Sequence, residues 1–307
     1  MTDRRENYDV VILGGGPSGI SAAVWCADLG LQPLLIERNE RLGGQLWWIY
    51  NPITNYLGVN AKNGSEMAQR FEEHARSAAV EILTGQEVRA VDLSERTVCC
   101  GDTKFRGKAM ILATGVRRSR LAVPGEDMRV GILTSGARDR GTVAGKTVVI
   151  VGGGDAALEN ALILSEHADQ IIVVHRRDEF KARREFVEKA RQRSNVRFAM
   201  ESSVTRIGGS EQVDSVEVEG PAGSELLRCD AVLIRIGVEP NTELFRGQIE
   251  LDGRAYVVAA PEMRTSRPGV WAVGDVTGPS AMTITGSVGQ GSAAAASVLR
   301  FLSAAAT

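Results

Sequence analysis

Two glycine-rich segments have the residue types and spacing that bind phosphate groups. The first reads Gly14-Gly-Gly16-Pro-Ser-Gly19 and the second reads Gly152-Gly-Gly154-Asp-Ala-Ala157. Glycines at this spacing let backbone N–H groups approach a pyrophosphate at a helix N-terminus, where the helix dipole favours negative charge. Each segment therefore predicts a dinucleotide site if a strand precedes it and a helix follows it. The alternative interpretation is a loop that only permits close helix packing.

The elements around the two segments repeat in the same order. An apolar strand leads into each glycine segment, an amphipathic helix follows, and a second strand ends in a polar residue. The interval from the first glycine to that polar residue is 23 residues in both copies (37 − 14 and 175 − 152), and the copies are 138 residues apart. This repeat predicts two βαβ units on parallel sheets. The strands are expected at residues 8–13, 33–37, 146–151 and 171–175, with a helix after each glycine segment.

The residue at the end of the second strand distinguishes the two expected ligands. Glu37 can accept hydrogen bonds from ribose hydroxyls and repels a 2′-phosphate, so the first site suits the adenosine of FAD or NAD. In the second copy His175 is followed by Arg176 and Arg177, whose forked donors suit the 2′-phosphate of NADP. A solvated, charged helix is the alternative interpretation of the basic residues that follow.

The length of the chain suits two ordinary domains or one large α/β unit. The chain has 307 residues and a net charge of −2, which argues against nucleic-acid binding. Strands that end in glycine predict domain boundaries, which divide the chain into residues 1–116, 117–241 and 242–307. We expect hairpins at residues 96–108 and 213–230 and a tightly packed helix over residues 287–302. No segment has the length of a membrane span or the pattern of a signal peptide, and the four cysteines match no zinc motif, so we expect a reducing, cytoplasmic setting without a metal.

These motifs together resemble the small thioredoxin reductase-like flavoproteins of the pyridine nucleotide-disulfide oxidoreductase class. The resemblance covers nearly the whole chain: beside the two glycine loops it includes Gly43-Gly-Gln-Leu46, Ala113-Thr-Gly115 and Gly274-Asp275. It implies two Rossmann-like domains, with an NADPH domain inserted into a split FAD domain, and a homodimer. In such proteins the Asp of the Gly-Asp pair holds the flavin ribityl chain.

The resemblance also implies the residues of both cofactor sites. For FAD they are Gly14, Gly16, Pro17, Ser18, Gly19, Glu37, Arg38, Gly44, Gln45, Leu46, Asn55, Val88, Ala113, Thr114, Gly115, Gly274, Asp275, Thr283, Ile284 and Thr285. For NADPH they are Gly152, Gly154, Asp155, Ala156, His175, Arg176, Arg177, Lys181, Arg183, Ile236 and Gly237. Trp47 and Trp48 follow the flavin segment and suit a ring-covering, acceptor-site, core or dimer role equally.

The chain departs from this family at the redox centre. Where a thioredoxin reductase has C-x-x-C-D, this chain has Ser135-Gly-Ala-Arg138-Asp139, and neither serine nor arginine exchanges disulfides. Asp139 stands at the family's acid position, with a structural or a proton-transfer role. The adjacent Cys99 and Cys100 are expected on opposite faces of a strand, so they cannot both approach one flavin. Cys26 and Cys229 are expected to be ordinary packing or exposed thiols.

The sequence therefore predicts an FAD-containing, NADPH-oxidising enzyme without a redox disulfide. Its electron acceptor would be ferredoxin, flavodoxin, a quinone, a small disulfide or another small oxidant. One alternative is a catalytically silent flavin-binding sensor or partner-binding module. Another is a disulfide reductase-like enzyme that uses a second flavin or external thiols.

Overall fold

The computed structural model describes residues 7–305 and divides the chain into two compact units. The first unit extends to Arg117 and resumes at Glu239, and the second comprises Arg118–Val238. The sequence-based boundaries, after residues 116 and 241, lie one residue before and three residues after these divisions. The chain thus leaves the first unit once and returns to it.

The helices are interspersed among strands, and several strands follow one another directly. In the described range the strands are β1 (Asn7–Leu13), β2 (Pro33–Ile36), β3 (Ile53–Tyr56), β4 (Val59–Ala61), β5 (Glu81–Leu83), β6 (Val88–Asp92), β7 (Thr97–Cys100), β8 (Thr103–Leu112), β9 (Val116–Arg118), β10 (Ile132–Leu133), β11 (Thr147–Val151), β12 (Gln170–Val174), β13 (Val196–Ala199), β14 (Ser203–Gly209), β15 (Val213–Gly220), β16 (Gly223–Arg228), β17 (Ala231–Ile234), β18 (Val238–Pro240) and β19 (Val270–Ala272). The α-helices of that range are α1 (Pro17–Asp28), α2 (Gly64–Ser77), α3 (Gly136–Asp139), α4 (Asp155–Ser165), α5 (Arg184–Arg191) and α6 (Ile284–Ala305).

The first unit is built on a sheet with the order β5-β2-β1-β8-β7-β6, and β19 also pairs with β8. The pairs among β5, β2, β1, β8 and β19 are parallel, whereas β6, β7 and β8 form an antiparallel meander. Alternate residues of β1 face opposite sides: Val10 and Ile12 pack with α1 and α6, and Val11 and Leu13 pack towards the meander. Both faces are covered, which is why the strands are continuous apolar runs.

Small residues allow α1 and α6 to pack closely on the same face of this sheet. A Cβ atom at Gly291 of α6 would collide with the carbonyl oxygen of Ser18 on α1. The Ser21 hydroxyl donates a hydrogen bond to the Val288 carbonyl oxygen at 2.7 Å. The Gly/Ala/Ser-rich segment near the C-terminus is therefore the tightly packed helix that its sequence predicts, although it begins at Ile284, three residues before the expected start.

The second unit repeats this layered plan. Its parallel sheet has the order β10-β17-β11-β12-β13, and β14-β15-β16 form a separate antiparallel sheet. Helix α4 packs on one face of the parallel sheet through Leu158 and Leu164, and the antiparallel sheet covers the other face through Val216 and Leu227. The two predicted hairpins are β7–β8 and β15–β16, so both predictions are confirmed.

Within residues 7–305, no helix combines the length and the apolar character that crossing a membrane requires. The long helix α6 has the length, but small and polar residues such as Ser287, Gln290 and Ser297 interrupt its apolar surface.

Candidate cofactor sites

The first glycine loop joins β1 to α1, and its glycines have different neighbours. Gly14 has φ +108°, and a Cβ atom there would collide with the carbonyl oxygen of Ala113 on the neighbouring strand. A Cβ atom at Gly15 would lie 3.1 Å from Cβ of Glu37. Apart from its chain neighbours, a Cβ atom at Gly16 would have no atom of residues 7–305 within 4 Å. The protein itself therefore fills the space beside the first two glycines, and the third faces open space.

That open space is a cavity of about 480 Å³ at the carboxyl edge of the first sheet. Carboxyl ends of parallel strands, next to a helix N-terminus, are where α/β sheets bind nucleotides. Many predicted FAD residues line it: Gly14, Gly16, Pro17, Ser18, Glu37, Arg38, Gly44, Gln45, Ala113, Thr114, Gly115 and Asp275. An adjoining cavity of about 240 Å³ is lined by Glu37 and Arg38 again, together with the predicted residue Val88.

Glu37 is buried between these two cavities and organises the loop. One carboxylate oxygen accepts a hydrogen bond from the Gly15 N–H at 2.7 Å. The other accepts from the backbone N–H and the side-chain amide of Asn39, at 2.8 and 2.6 Å. The oxygen that accepts from Gly15 retains a lone pair for a further donor, such as a ribose hydroxyl. Asn39 lines the larger cavity, and its position two residues after Glu37 was the available sequence signal.

Asp275 lies at another part of the larger cavity and is held by amide side chains. The Gln45 amide donates to its carboxylate at 2.8 Å, and burial raises the pKa of Asp275 above its usual range despite this bond. The preceding N–H, of Gly274, donates to the Gln290 side chain at 2.6 Å. Gln290 and Asn39 were not predicted from the sequence, and no motif marks Gln290. Both predicted neighbours, Gln45 and Asp275, are brought together by the fold although 230 residues separate them.

Some predicted residues of the first site lie elsewhere in the structure. Leu46 is buried in a small core with Ile53 and Met67, and Gly19 is buried in α1 against the backbone of Gly14. Asn55 is exposed on β3. Neither of the two cavities described above is lined by Asn55 or by residues 283–285 at the start of α6.

The two tryptophans line the larger cavity beside the glycine loop. The indole N–H of Trp47 donates to the Leu42 carbonyl oxygen at 2.8 Å, and the Arg41 guanidinium lies 3.9 Å from its ring centroid. Trp48 is 39% exposed. Trp47 is thereby held in position, and Trp48 presents an aromatic surface at the cavity.

The second glycine loop, between β11 and α4, repeats the geometry of the first. Gly152 has φ +142°, and a Cβ atom there would collide with the carbonyl oxygen of Arg235. A Cβ atom at Gly153 would collide with the His175 ring, and one at Gly154 would again have no protein atom within 4 Å. His175 therefore takes the place that Glu37 has in the first loop.

His175 is a packing residue at the end of β12. Its ring stacks on Phe180 with centroids 5.4 Å apart, and Nε2 lies 3.0 Å from the Glu179 carbonyl oxygen. Burial and the nearby Arg177 and Arg176 lower its pKa, which favours the neutral imidazole. Neutral His175 adds no positive charge to a phosphate site, so charge there must come from the arginines.

The basic residues after His175 differ in their pairing. Arg176, Arg177 and Lys181 are exposed, and the part of the chain that the structure describes gives neither Arg176 nor Arg177 an ion-pair partner. Arg183 instead pairs with Asp155 at the start of α4, with 2.9 Å between Nε and Oδ2. Ala156, Ile236 and Gly237 are exposed at the same edge of the sheet.

The segment that precedes the second loop contains no thiol. Ser135 precedes the short helix α3, in which Arg138 is exposed. The Asp139 carboxylate accepts hydrogen bonds from the backbone N–H groups of Thr134 and Ser135, the latter at 2.9 Å. These bonds tie the segment into a turn, which gives Asp139 a structural role.

The cysteines do not form an alternative redox pair. All four are free, and Cys26, Cys100 and Cys229 are buried. Burial raises the pKa of Cys26 and of Cys229 to about 12 and that of Cys100 to about 11. Cys99 and Cys100 are neighbours on β7, one half-buried and one buried, as alternation along a strand predicts. In residues 7–305 no group of three or more His, Cys, Asp or Glu side chains could hold a metal ion.

The geometry of both loops agrees with comparisons to known proteins. The family model described as pyridine nucleotide-disulphide oxidoreductase matches residues 8–291. This chain belongs to that family. Its members bind FAD and NADPH, and the two glycine loops, with their open third glycines, fit the pyrophosphates of two such dinucleotides. The chain is accordingly a thioredoxin reductase-like flavoprotein oxidoreductase with two Rossmann-type domains.

Curated relatives and solved structures match this chain along nearly its full length. A thioredoxin reductase of Mycolicibacterium smegmatis is 33% identical over 98% of this chain and 99% of its own. The "34.2 kDa protein in rubredoxin operon" of Clostridium pasteurianum is 32% identical over 94% of this chain and 96% of its own. The crystal structure of Lactococcus lactis thioredoxin reductase in the FR conformation has a TM-score of 0.84 and 29% identity, covering 96% of this chain and 98% of that one.

Proposed function

We propose that this flavoprotein oxidises NADPH and passes the electrons from FAD directly to an acceptor, without a redox disulfide in the chain. The observation that carries the proposal is the combination of two open glycine loops with a thiol-free Ser135–Asp139 segment. The remaining thiols do not substitute, because three of them are buried and have raised pKa values. Thioredoxin is therefore not expected to be a substrate.

The first unit is the proposed FAD domain. Its backbone N–H groups at the start of α1 would bind the pyrophosphate, and Glu37 would accept hydrogen bonds from the adenosine ribose. Gln45 orients the Asp275 carboxylate, which would hold the ribityl chain. The second unit is the proposed NADPH domain, in which α4 binds the pyrophosphate and Arg176 and Arg177 bind the 2′-phosphate. When bound, FAD and NADPH would supply the hydride-transfer chemistry, and the residues named above would hold the two cofactors.

The acceptor is proposed to be an electron-transfer protein, such as ferredoxin or flavodoxin, or a small oxidant. The Clostridium relative is named after a rubredoxin operon, which supports an acceptor other than thioredoxin. Trp48 lines the larger cavity and is partly exposed, so either class of acceptor would meet an aromatic side chain there. From the family resemblance we also propose that the protein is a homodimer, which a sedimentation experiment tests directly.

Anaerobic addition of NADPH to the flavin-loaded protein tests the proposal. We expect the flavin absorbance to bleach rapidly with NADPH and more slowly with NADH. Subsequent mixing with ferredoxin, flavodoxin, quinones, small disulfides or thioredoxin then identifies the acceptor by the return of the absorbance. Absent bleaching would show a silent flavin-binding module, and two flavins per chain would show that the second loop binds FAD. Rapid reoxidation by thioredoxin would contradict the direct-transfer proposal.

A further inference from the structure

Two arginines of the second unit converge on one backbone oxygen beside the thiol-free segment. The Arg118 guanidinium donates to the Thr134 carbonyl oxygen at 2.8 Å. The Arg235 guanidinium donates to the same oxygen and, at 2.8 Å, to the carbonyl oxygen of Ile234. Thr134 directly precedes Ser135, the position at which thiol-dependent relatives would be expected to have their first redox cysteine. The two positively charged guanidinium groups therefore lie next to that position.

Within residues 7–305, Arg235 has no direct ion pair with a carboxylate. In the described residues no Asp or Glu oxygen lies within 4.0 Å of its guanidinium, and its hydrogen-bond acceptors are neutral carbonyl oxygens. Asp139 interacts electrostatically with Arg235 without direct contact, and its carboxylate accepts hydrogen bonds from the N–H groups of Thr134 and Ser135 instead. Burial and the charge of Arg118 lower the pKa of Arg235 to about 10. A partly buried charge of this kind is stabilised by an anion.

The phosphates of the proposed NADPH have donors elsewhere at the same edge of the sheet. In the strand order β10-β17-β11-β12, the glycine loop follows β11, and Arg176 and Arg177 follow β12. Arg235 follows β17 and Thr134 follows β10. Arg235 and the arginine pair therefore lie on opposite sides of the glycine loop. The donors proposed for the pyrophosphate and the 2′-phosphate therefore do not include Arg235.

We propose that Arg235, next to Arg118, forms a binding site for an organic anion, and that the electron acceptor carries this anionic group as a carboxylate or sulfonate. The proposal rests on the proposed function and names the acceptor class: a two-electron oxidant such as a quinone with an acidic substituent. The overall step is NADPH + H⁺ + quinone → NADP⁺ + hydroquinone, which balances in electrons and protons.

Equilibrium binding tests the site without relying on turnover. We would titrate the oxidised, flavin-loaded protein with naphthalene-2-sulfonate and with its neutral analogue naphthalene-2-sulfonamide in a calorimeter. The wild type should bind the sulfonate at least about 10-fold more tightly, and Arg235→Gln should abolish this preference because a charge-assisted pair is lost. Arg228→Gln is the matched control, since Arg228 is an exposed arginine of the same unit. Arg235→Lys retains the charge and should keep part of the preference if Arg235→Gln does not fold.

Steady-state kinetics then connects the site to the acceptor. With 1,4-naphthoquinone-2-sulfonate, Arg235→Gln should raise KM about 10-fold, whereas KM for unsubstituted 1,4-naphthoquinone should stay within about 2-fold. Equal binding of the two naphthalenes to the wild type would overturn the anion site. A comparable loss of NADPH affinity in Arg235→Gln would assign the arginine to the nucleotide instead. Failure of NADPH to bleach the wild-type flavin would refute the proposed function, while the binding result would still decide on the anion site.

Discussion

Alanine substitution at the third glycine of each loop should weaken the binding of one cofactor and leave the binding of the other unchanged. Gly16 has φ −77° and ψ 178°, and Gly154 has φ −98° and ψ 179°. Alanine adopts this extended conformation without strain. At both positions the new methyl group would meet no atom of the described residues within 4 Å, chain neighbours aside. Replacing glycine where the backbone is compatible stabilises a folded chain by about 0.4–1 kcal/mol, through the unfolded state. Gly16→Ala and Gly154→Ala should therefore leave the unit structures intact.

Each substitution should weaken the binding of its cofactor. A methyl group in the open space beside the loop would displace a bound pyrophosphate from the N–H groups at the helix start. Losing one such charge-assisted hydrogen bond, at about 1.5–3 kcal/mol, weakens binding by about 10- to 100-fold. Gly16→Ala should bind FAD more weakly and, at a FAD concentration that saturates the first site, bind NADPH as the wild type does. Gly154→Ala should bind NADPH more weakly and FAD as the wild type does.

The assay combines the flavin-to-protein absorbance ratio, FAD titration of the apoprotein, NADPH titration under anaerobic conditions, and urea unfolding. Gly14→Ala is the contrasting variant, because its φ of +108° and the collision with the Ala113 carbonyl oxygen should destabilise the fold itself. Unchanged FAD affinity in Gly16→Ala, with a folded protein, would refute the placement of the pyrophosphate. Loss of both cofactors in either variant would refute the independence of the two loops.

Three further predictions concern charge and thiols. Arg176→Ala combined with Arg177→Ala should weaken NADPH binding by about 100-fold and NADH binding by less than about 3-fold in anaerobic titrations; equal losses would exclude contact with the 2′-phosphate. In the native protein at pH 8 a disulfide reagent should rapidly modify Cys99 alone, because at their raised pKa values at most about a thousandth of each of the other three thiols is ionised. Cys99→Ala should remove this rapid phase of thiol modification. Asp139→Ala should lower the free energy of unfolding by about 1–3 kcal/mol in urea titrations, and Asp139→Asn should stay closer to the wild type. The rate of flavin bleaching by NADPH should change less than about 2-fold. A large loss of this rate would support a proton-transfer role.

Local sequence patterns were sufficient to predict the layered α/β fold. The central parallel strands, such as β2 and β11, are short apolar runs that are almost entirely buried. Each glycine loop occurs between a strand and a helix, so periodicity and loop chemistry agree. The 138-residue repeat also predicted that Glu37 and His175 stand at equivalent positions. Their equivalence goes further than expected, because both side chains pack against the second glycine of their loops.

Contacts between distant segments were not predictable in the same way. Nothing local to Gln290 indicates that its side chain accepts a hydrogen bond from Gly274, and nothing local to Arg235 indicates that it reaches Thr134, 101 residues earlier. The role of Asp139 was open in the sequence because a carboxylate near a redox position suits proton transfer or turn capping. The bonds from Thr134 and Ser135 favour capping.

The sequence by itself determined the fold class, the two glycine loops, the family resemblance and the lack of thiols at Ser135 and Arg138, because each follows from residue type and short spacing. Only the tertiary structure decided which glycines are filled by the protein and which are open to a ligand. It alone brought two guanidinium groups to one carbonyl oxygen. Such arrangements depend on how strand ends from separate parts of the chain meet at one edge of a sheet, and spacing along the chain does not specify those distances.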